Sequence, residues 1–316
     1  MEFDLIEEIR ARVDVARGDV ALGIGDDAAV LDVPAGQQLV ACTDALVSGV
    51  HFPVGTAPED IGWKALAVNL SDLATMGAEP AWALLALTLP DEDAAFVERF
   101  AEGFAELARA HGVALTGGDT TQGPLAVTVT ALGFVPHDLA LTRSGARVGD
   151  AVFVTGTLGD AAGALRLLRD SENNGVALRA RLDRPEPRIA AGLALRGIAS
   201  ACIDVSDGLL ADLDHICAAS KVGAEIEADA LPVSPALAAS FDAKTCRDLA
   251  LSGGDDYELC FTAPAAREME IIETLARAGC GATRIGRIVA GSGVRALDAS
   301  GNEIEIARAG WEHFSR

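Results

Sequence analysis

The chain has 316 residues, half of them hydrophobic, with 47 acidic and 25 basic side chains and a formal net charge of −22. That length makes one large domain or two of ordinary size around a substantial core. The charge excludes a general nucleic-acid binder, which needs a basic face, and favours cations as partners. Only three of the basic residues are lysines (Lys64, Lys221 and Lys244), so few ammonium groups are available to hold phosphate.

Met1-Glu2-Phe3-Asp4 is acidic rather than signal-like, and no uncharged apolar run is long enough to span a membrane. A cytoplasmic protein with no membrane contact is the expectation. The six cysteines are scattered without a C-x-x-C pair and read as buried thiols in a reducing compartment.

Phe3 to Ala16 reads as an amphipathic helix with Leu5, Ile6, Ile9 and Val13 on its apolar side. Gly23-Ile24-Gly25-Asp26-Asp27-Ala28-Ala29 follows, with two adjacent carboxylates in a glycine-hinged loop. It fits the dinucleotide pattern G-x-G-x-x-A, but two aspartates would repel an approaching pyrophosphate, and Val20-Ala21-Leu22 is a poor βαβ strand. Leu39 to Cys42 reads as a strand with Thr43-Asp44 at its end, where loops carry function. Pro58 to Gly77 reads as a helix: Pro58 suits the first turn, Glu59 and Asp60 complement the positive end, and Gly77 stops it. Its Ala65, Asn69 and Asp72 share one small, polar face, either an approach for an ion or a solvated surface.

Ala83 to Leu89 reads as a strand, and Asp91 to His111 as a helix buried along Phe96, Phe100, Phe104 and Leu107 and ended by Gly112. Val113-Ala114-Leu115 leads into Gly117-Gly118-Asp119, read as a loop: either a plain turn or a place where amides meet a phosphate. Leu125 to Phe134 is a long strand. The segment from Pro136 to Asp150 joins two halves, which gives expected domains 1–137 and 138–316. The second half reads as a strand (Ala151 to Thr155), a glycine loop entering a helix (Gly156 to Asp160), a helix (Pro187 to Ser200) and a short strand (Cys202-Ile203). A helix from Asp207 to Ser220, a strand from Glu258 to Thr262, a helix from Pro264 to Ala278 and strands at Arg284 to Val289 and Val294 to Leu297 complete it. The class is mixed α/β (α+β).

Acidic turns recur at Asp26-Asp27, Asp44, Asp72, Asp119, Asp204-Val205-Ser206-Asp207-Gly208 and Gly253-Gly254-Asp255-Asp256. Any one has a plain use; Ser206 or Asp207, for example, suits a helix N-cap. Converging carboxylates, however, repel and lose their charge unless cations separate them. A phosphate site with several magnesium ions is therefore expected. Neither a G-x-x-x-x-G-K-[ST] loop nor a protein-kinase signature is present, so ATP would be held by glycine loops, magnesium and a few arginines.

Taken together, these stretches resemble the thiamine-monophosphate kinase family. The resemblance runs through Gly25-Asp26-Asp27-Ala28-Ala29, Thr43-Asp44 to His51-Phe52, Lys64 to Ala74, Gly117-Gly118-Asp119-Thr120, Arg143-Ser144-Gly145-Ala146, Ile203 to Leu209, Ser252 to Leu259 and the late Trp311. It implies a two-domain fold like that of aminoimidazole ribonucleotide synthetase (PurM-like), with N-terminal sheets pairing in a homodimer. It implies ATP-dependent phosphorylation of thiamine monophosphate to thiamine diphosphate, with no catalytic base. By position, Asp27, Thr43, Asp44, Asp72, Asp119, Asp204 and Asp207 would hold magnesium. Gly118, Asp119, Arg143 and Ser206 would contact ATP, and His51, Asp255 and Trp311 the thiamine monophosphate. Cys42 stands where the family often has serine, so a metal contact there would be through its backbone. Asp255 stands where glutamate is common and reaches less far. The alternatives are another ATP-using member of the superfamily, such as aminoimidazole ribonucleotide synthetase, or a non-catalytic acidic metal-binding protein, whose loops should then have calcium-site spacing and do not.

Overall fold

The computed structural model describes residues 2–170, 176–306 and 310. They form two compact units, Met1–Leu73 with Ala78–Asp138, and Ala74–Gly77 with Leu139–Arg316. No helix among the described residues is long and apolar enough to cross a membrane.

In the first unit, α1 (Glu2–Arg12) stops four residues before the expected Ala16. Strands β1 (Val20–Leu22) and β2 (Val30–Leu31) pair antiparallel around the Gly23–Ala29 loop, so Val20-Ala21-Leu22 is a hairpin arm and not the first strand of a nucleotide-binding βαβ unit. β3 (Gln37–Val47), α2 (Pro58–Thr75), β4 (Glu79–Leu89), α3 (Ala94–His111), β5 (Ala114–Gln122) and β6 (Ala126–Pro136) follow. The strands form one sheet in the order β3-β6-β4-β5, with β4 and β5 parallel and the other pairs antiparallel.

α3 forms where its phenylalanine stripe and caps agree. Asp93 accepts the amide of Phe96 at 3.0 Å, Gly112 ends the helix at φ 64°, and Phe100 and Phe104 are fully buried. α2 lies against α3 at glycine contact: a Cβ on Gly62 would sit 2.1 Å from the Phe100 carbonyl oxygen, and one on Gly103 would sit 1.8 Å from that of Glu59. Leu66, Leu70 and Leu73 of α2 and Val127 and Val129 of β6 are buried in this layer. The opposite sheet face is open, and it exposes Leu39 and Val47 of β3 and Leu84 of β4.

The second unit contains β7 (Asp150–Thr155), α4 (Asp160–Arg169), α5 (Val176–Asp183), α6 (Ile189–Ala194), β8 (Ala201–Asp204), α7 (Leu209–Ser220), β9 (Gly223–Glu227), α8 (Pro235–Ser240), α9 (Ala243–Ser252), β10 (Leu259–Pro264), α10 (Glu268–Arg277), β11 (Ala282–Val289) and β12 (Gly293–Leu297). Its six strands run in the order β12-β9-β11-β7-β10-β8, antiparallel except for β12 with β9. Phe153 and Phe261 stack across β7 and β10 with centroids 5.3 Å apart. The helix expected from Pro187 to Ser200 is only α6, and the one from Pro264 begins as a single 3-10 turn before α10. Gly197, at φ 69°, lies in the turns after α6 that take the place of the rest of that helix.

Candidate active site

β3 does not end at Cys42. It pairs with β6 along its whole length, which puts Thr43 and Asp44 in mid-strand with side chains on opposite faces. Thr43 Oγ1 faces the open side, where it donates to Val129 O at 3.0 Å and accepts from Thr130 Oγ1 at 3.0 Å. Asp44 faces α2. There the fully buried Asn69 holds the strand: its Oδ1 accepts the Asp44 amide at 3.1 Å, and its Nδ2 donates to Ala65 O at 3.0 Å. The face of Ala65, Asn69 and Asp72 is therefore packed on β3 and is not a solvated surface.

Burial pushes the Asp44 carboxyl above the usual carboxylate range. The Cys42 thiol is raised too, first by burial and then by the charges of Asp72 and Asp44, and it donates to Asn69 O at 3.3 Å. It remains a protonated donor here, not a thiolate ligand. All six cysteines are free.

Gly118 and Asp119 lie inside β5, not in a loop. Thr116 bulges between the Ala83–Leu115 and Leu84–Gly117 pairs, and a Cβ on Gly118 would lie 1.8 Å from the Leu85 carbonyl oxygen. Asp119 follows and is exposed. In the first acidic loop Asp26 Oδ1 accepts the Asp27 amide at 2.8 Å, while the Asp27 side chain stays exposed. His51 Nδ1 accepts the Val47 amide at 2.9 Å, so the neutral ring carries its proton on Nε2. Its carbonyl accepts from Nζ of Lys64, which is only 2% exposed. Sequence reading gave Lys64 no role.

In the second unit Asp204 is buried at the end of β8, and Ser206 and Asp207 are half-buried in the loop before α7. Neither Ser206 nor Asp207 is the N-cap. Gly208 occupies that position, and Oδ2 of Asp212, four residues into the segment, accepts the amides of Ser206, Asp207 and Gly208, each at 3.0 Å. Three successive amides of this kind make an anion cradle, here filled by the chain's own carboxylate. Burial, and next the charge of Asp204, raise Asp212 to about 7.

This loop is stitched to the segment Gly253 to Glu258. Asp255 N donates to Ser206 O at 2.8 Å, Tyr257 N to Val205 O at 2.9 Å, and Val205 N to Glu258 O at 2.8 Å. Asp256 and Glu258 point inward. Asp256 accepts the Gly159 amide at 2.8 Å. Glu258, fully buried, accepts Thr155 Oγ1 at 2.7 Å, Arg181 at 2.6 Å and both Nε and Nη2 of Arg188 at 2.7 and 2.6 Å. The two arginines hold Glu258 below the usual range against its burial, whereas burial raises Asp256 well above it. Arg143 is exposed. Ser220 Oγ anchors its segment by accepting the Gly145 and Ala146 amides at 3.1 Å. Beside Asp207 opens a cleft of about 730 Å³ with Leu210, Ile304 and Ile306 on its walls and Asp214, Glu303 and Glu305 among its acidic groups. Trp311 lies outside the described residues.

Among the described residues, no three His, Cys, Asp or Glu side chains stand close enough together to hold a metal ion by themselves. The donors are nonetheless carboxylates, several of them partly desolvated, which suits a hard cation. Magnesium takes one or two carboxylates and completes its shell with water and substrate phosphate, so a three-ligand protein cage is not required.

Residues 25–135 match the family model described as AIR synthase related protein, N-terminal domain, and residues 147–298 match that of its C-terminal domain. This defines the class: a two-domain, mixed α/β protein of the AIR synthase related fold. Thiamine-monophosphate kinase of Escherichia coli (strain K12) is 45% identical over 320 residues, covering 99% of this chain and 98% of that protein. The crystal structure of thiamine-monophosphate kinase from Stenotrophomonas maltophilia K279a is similar with a TM-score of 0.88 and 53% identity, covering 93% of this chain and 96% of that one. The structure of AaThiL complexed with AMPPCP and TMP is similar with a TM-score of 0.80 and 35% identity, covering 99% and 97%. The chain belongs to the thiamine-monophosphate kinase family of enzymes.

Proposed function

We propose that this enzyme transfers the γ-phosphoryl group of ATP to thiamine monophosphate, giving ADP and thiamine diphosphate. The observation that carries this reading is the nearly full-length similarity to AaThiL, a protein solved with AMPPCP and TMP. The geometry supports it, because Asp44, Asp72, Asp119 and Asp204 sit within strands or a helix.

The acceptor is a phosphate monoester whose second pKa is about 6, so it is mostly dianionic at neutral pH and needs no general base. The obstacle is repulsion: two unit charges about 4 Å apart cost roughly 4 kcal/mol at an effective dielectric of 20. Magnesium, when bound, would supply the opposing charge and align an in-line transfer. Asp27, Asp44, Asp72 and Asp119 of the first unit and Asp204 and Asp207 of the second would hold several such ions. Thr43 would have only its backbone to offer, because its hydroxyl is engaged on the other sheet face.

Gly118 would admit ATP close to the backbone, and Arg143 would meet its phosphates. Ser206 would contact ATP through its hydroxyl, since its amide is taken by Asp212. His51 would donate from Nε2 to the acceptor phosphate. Asp255 would face the thiamine cation or its aminopyrimidine, and Trp311 would cover it by cation–π attraction. The open face of the four-stranded sheet would pair with a second copy, and the enzyme would work in the cytoplasm.

The test is ADP formation with magnesium, with and without thiamine monophosphate, with the products separated by chromatography. ADP and thiamine diphosphate should appear together, and only when both substrates are present. ADP release indifferent to thiamine monophosphate would reassign the acceptor.

A further inference from the structure

Asp255 and Tyr257 are two of only four non-glycine residues with positive φ among the described residues, at 65° and 50°. Such a conformation costs on the order of 1–3 kcal/mol per residue and persists only where the surroundings over-determine it. Here they do. Asp256 and Glu258 are drawn inward, to the Gly159 amide and to the Arg181–Arg188–Thr155 cluster. The amides of Asp255 and Tyr257 are fixed on Ser206 O and Val205 O. Gly254 has no room for a side chain, since a Cβ there would lie 2.3 Å from Ser206 O.

This clamp brings the side chains of Asp255 and Tyr257 together. Tyr257 Oη donates to Asp255 Oδ1 at 3.0 Å. Tyr257 is the only tyrosine of the chain and is 8% exposed. A short aspartate on a strained backbone has few rotamers, and the phenol takes one of its two oxygens. The hydrogen bond thereby gives the carboxylate a defined direction.

We infer that Tyr257 is a positioning residue for substrate selection: through this hydrogen bond it sets the Asp255 carboxylate that receives the organic cation of the acceptor. The inference rests on the reading of Asp255 as a substrate group. A role for Tyr257 in the acceptor site and not the nucleotide site follows from its partner, because its phenol meets the Asp255 carboxylate.

Tyr257→Phe removes one hydroxyl and leaves the ring. A hydrogen bond to a charged group is worth about tenfold in an equilibrium. The variant should raise KM for thiamine monophosphate by about that factor, with KM for ATP, kcat and the melting temperature close to wild type. Asp255→Ala should raise the same KM at least as much, and adding Tyr257→Phe to it should change nothing further, because the phenol then has no carboxylate to orient. Tyr257→Phe without effect on that KM, alongside a large effect of Asp255→Ala, would overturn the inference and leave the Asp255 reading standing. An equal additional effect of Tyr257→Phe in the Asp255→Ala background would also overturn it, since Tyr257 would then act on its own. If Asp255→Ala leaves KM unchanged, the substrate role of Asp255 fails, and the inference with it.

Discussion

Oδ2 of Asp212 accepts the backbone amide of Asp207 at 3.0 Å, and by that contact a helix residue holds the loop in front of its own N-terminus. The same oxygen takes the Ser206 and Gly208 amides, so one carboxylate fixes the carriers of two expected ligands. Its proton affinity is raised to about 7, chiefly by burial. The sign follows directly. A folded-state value above the unfolded one means that stability is greatest below the unfolded value of about 4 and declines as the pH rises toward about 7. The whole decline amounts to roughly 4 kcal/mol. In metal-free buffer the melting temperature of the wild type should therefore fall between about pH 4.5 and pH 7.5, and Asp212→Asn should flatten that slope. Parallel slopes for the two proteins would remove Asp212 from this role. Asp212→Ala, which frees all three amides, should lower kcat by about tenfold or more while the chain stays folded.

Asp44 carries the opposite kind of information, because nothing in its hydrogen bonding accounts for its burial. Among the described residues the hydrogen bond seen at Asp44 is that of its amide to Asn69, and burial raises its carboxyl. An ionised group whose folded-state value is raised weighs against the fold above its unfolded value, and a bound cation offsets that weight. Asp44→Asn should raise the melting temperature in the absence of magnesium. It should also shrink the rise that magnesium produces in wild type, and lower turnover by roughly a hundredfold. Magnesium stabilising both proteins equally, as read by thermal denaturation, would take Asp44 out of the cation site.

The difference between what was legible in the sequence and what was not follows local physics. The helix α3 is legible because its phenylalanine stripe and Gly112 stop agree. β3 was cut short in the reading because Asp44 sits at an inward position where alternation calls for an apolar residue. The exception is a residue proposed above for the cation site. Gly117-Gly118-Asp119 reads as a loop, whether a plain turn or a phosphate contact, because glycine and aspartate are poor strand formers. Only pairing with Leu84, Leu85 and Ala86 makes the segment a strand. The residues that fix the backbone around the proposed acidic positions leave no such sign in the sequence. Asp212 acts backward from inside a helix, and the inward turn of Asp256 and Glu258 goes with positive φ at Asp255 and Tyr257 that no spacing rule announces.

The closeness of α2 and α3 gives a stability prediction with a bearing on the site. A Cβ on Gly103 would overlap the Glu59 carbonyl at 1.8 Å, a backbone atom that cannot rotate away. Gly103→Ala must push α2 off α3, and α2 carries Asn69 and Asp72. Overpacking of this kind costs about 1–3 kcal/mol or more. A melting temperature several degrees lower, with reduced turnover at temperatures where the protein is still folded, is expected. Gly18→Ala, where a Cβ would meet nothing within 4 Å, is the control and should melt like wild type. An unchanged melting temperature for Gly103→Ala would mean that the helices do not approach this closely in solution.

Across the open face of the first unit's sheet, Thr43, Thr130, Leu84 and Gly117 form one row through β3, β6, β4 and β5. Leu84 is 38% exposed near the middle of that row, with Leu39 and Val47 exposed on the edge strand β3. A sheet face with this much uncovered apolar surface is expected to meet a partner. Pairing with a second copy would place each Leu84 against the same face of its mate. Leu84→Arg puts a charge there, at an exposed position where the isolated protomer should lose less than about 0.5 kcal/mol. Sedimentation velocity should therefore give a dimer for the wild type and a monomer of normal secondary structure for Leu84→Arg. A wild-type monomer at tens of micromolar, or a variant that remains dimeric, would sink the pairing through this face.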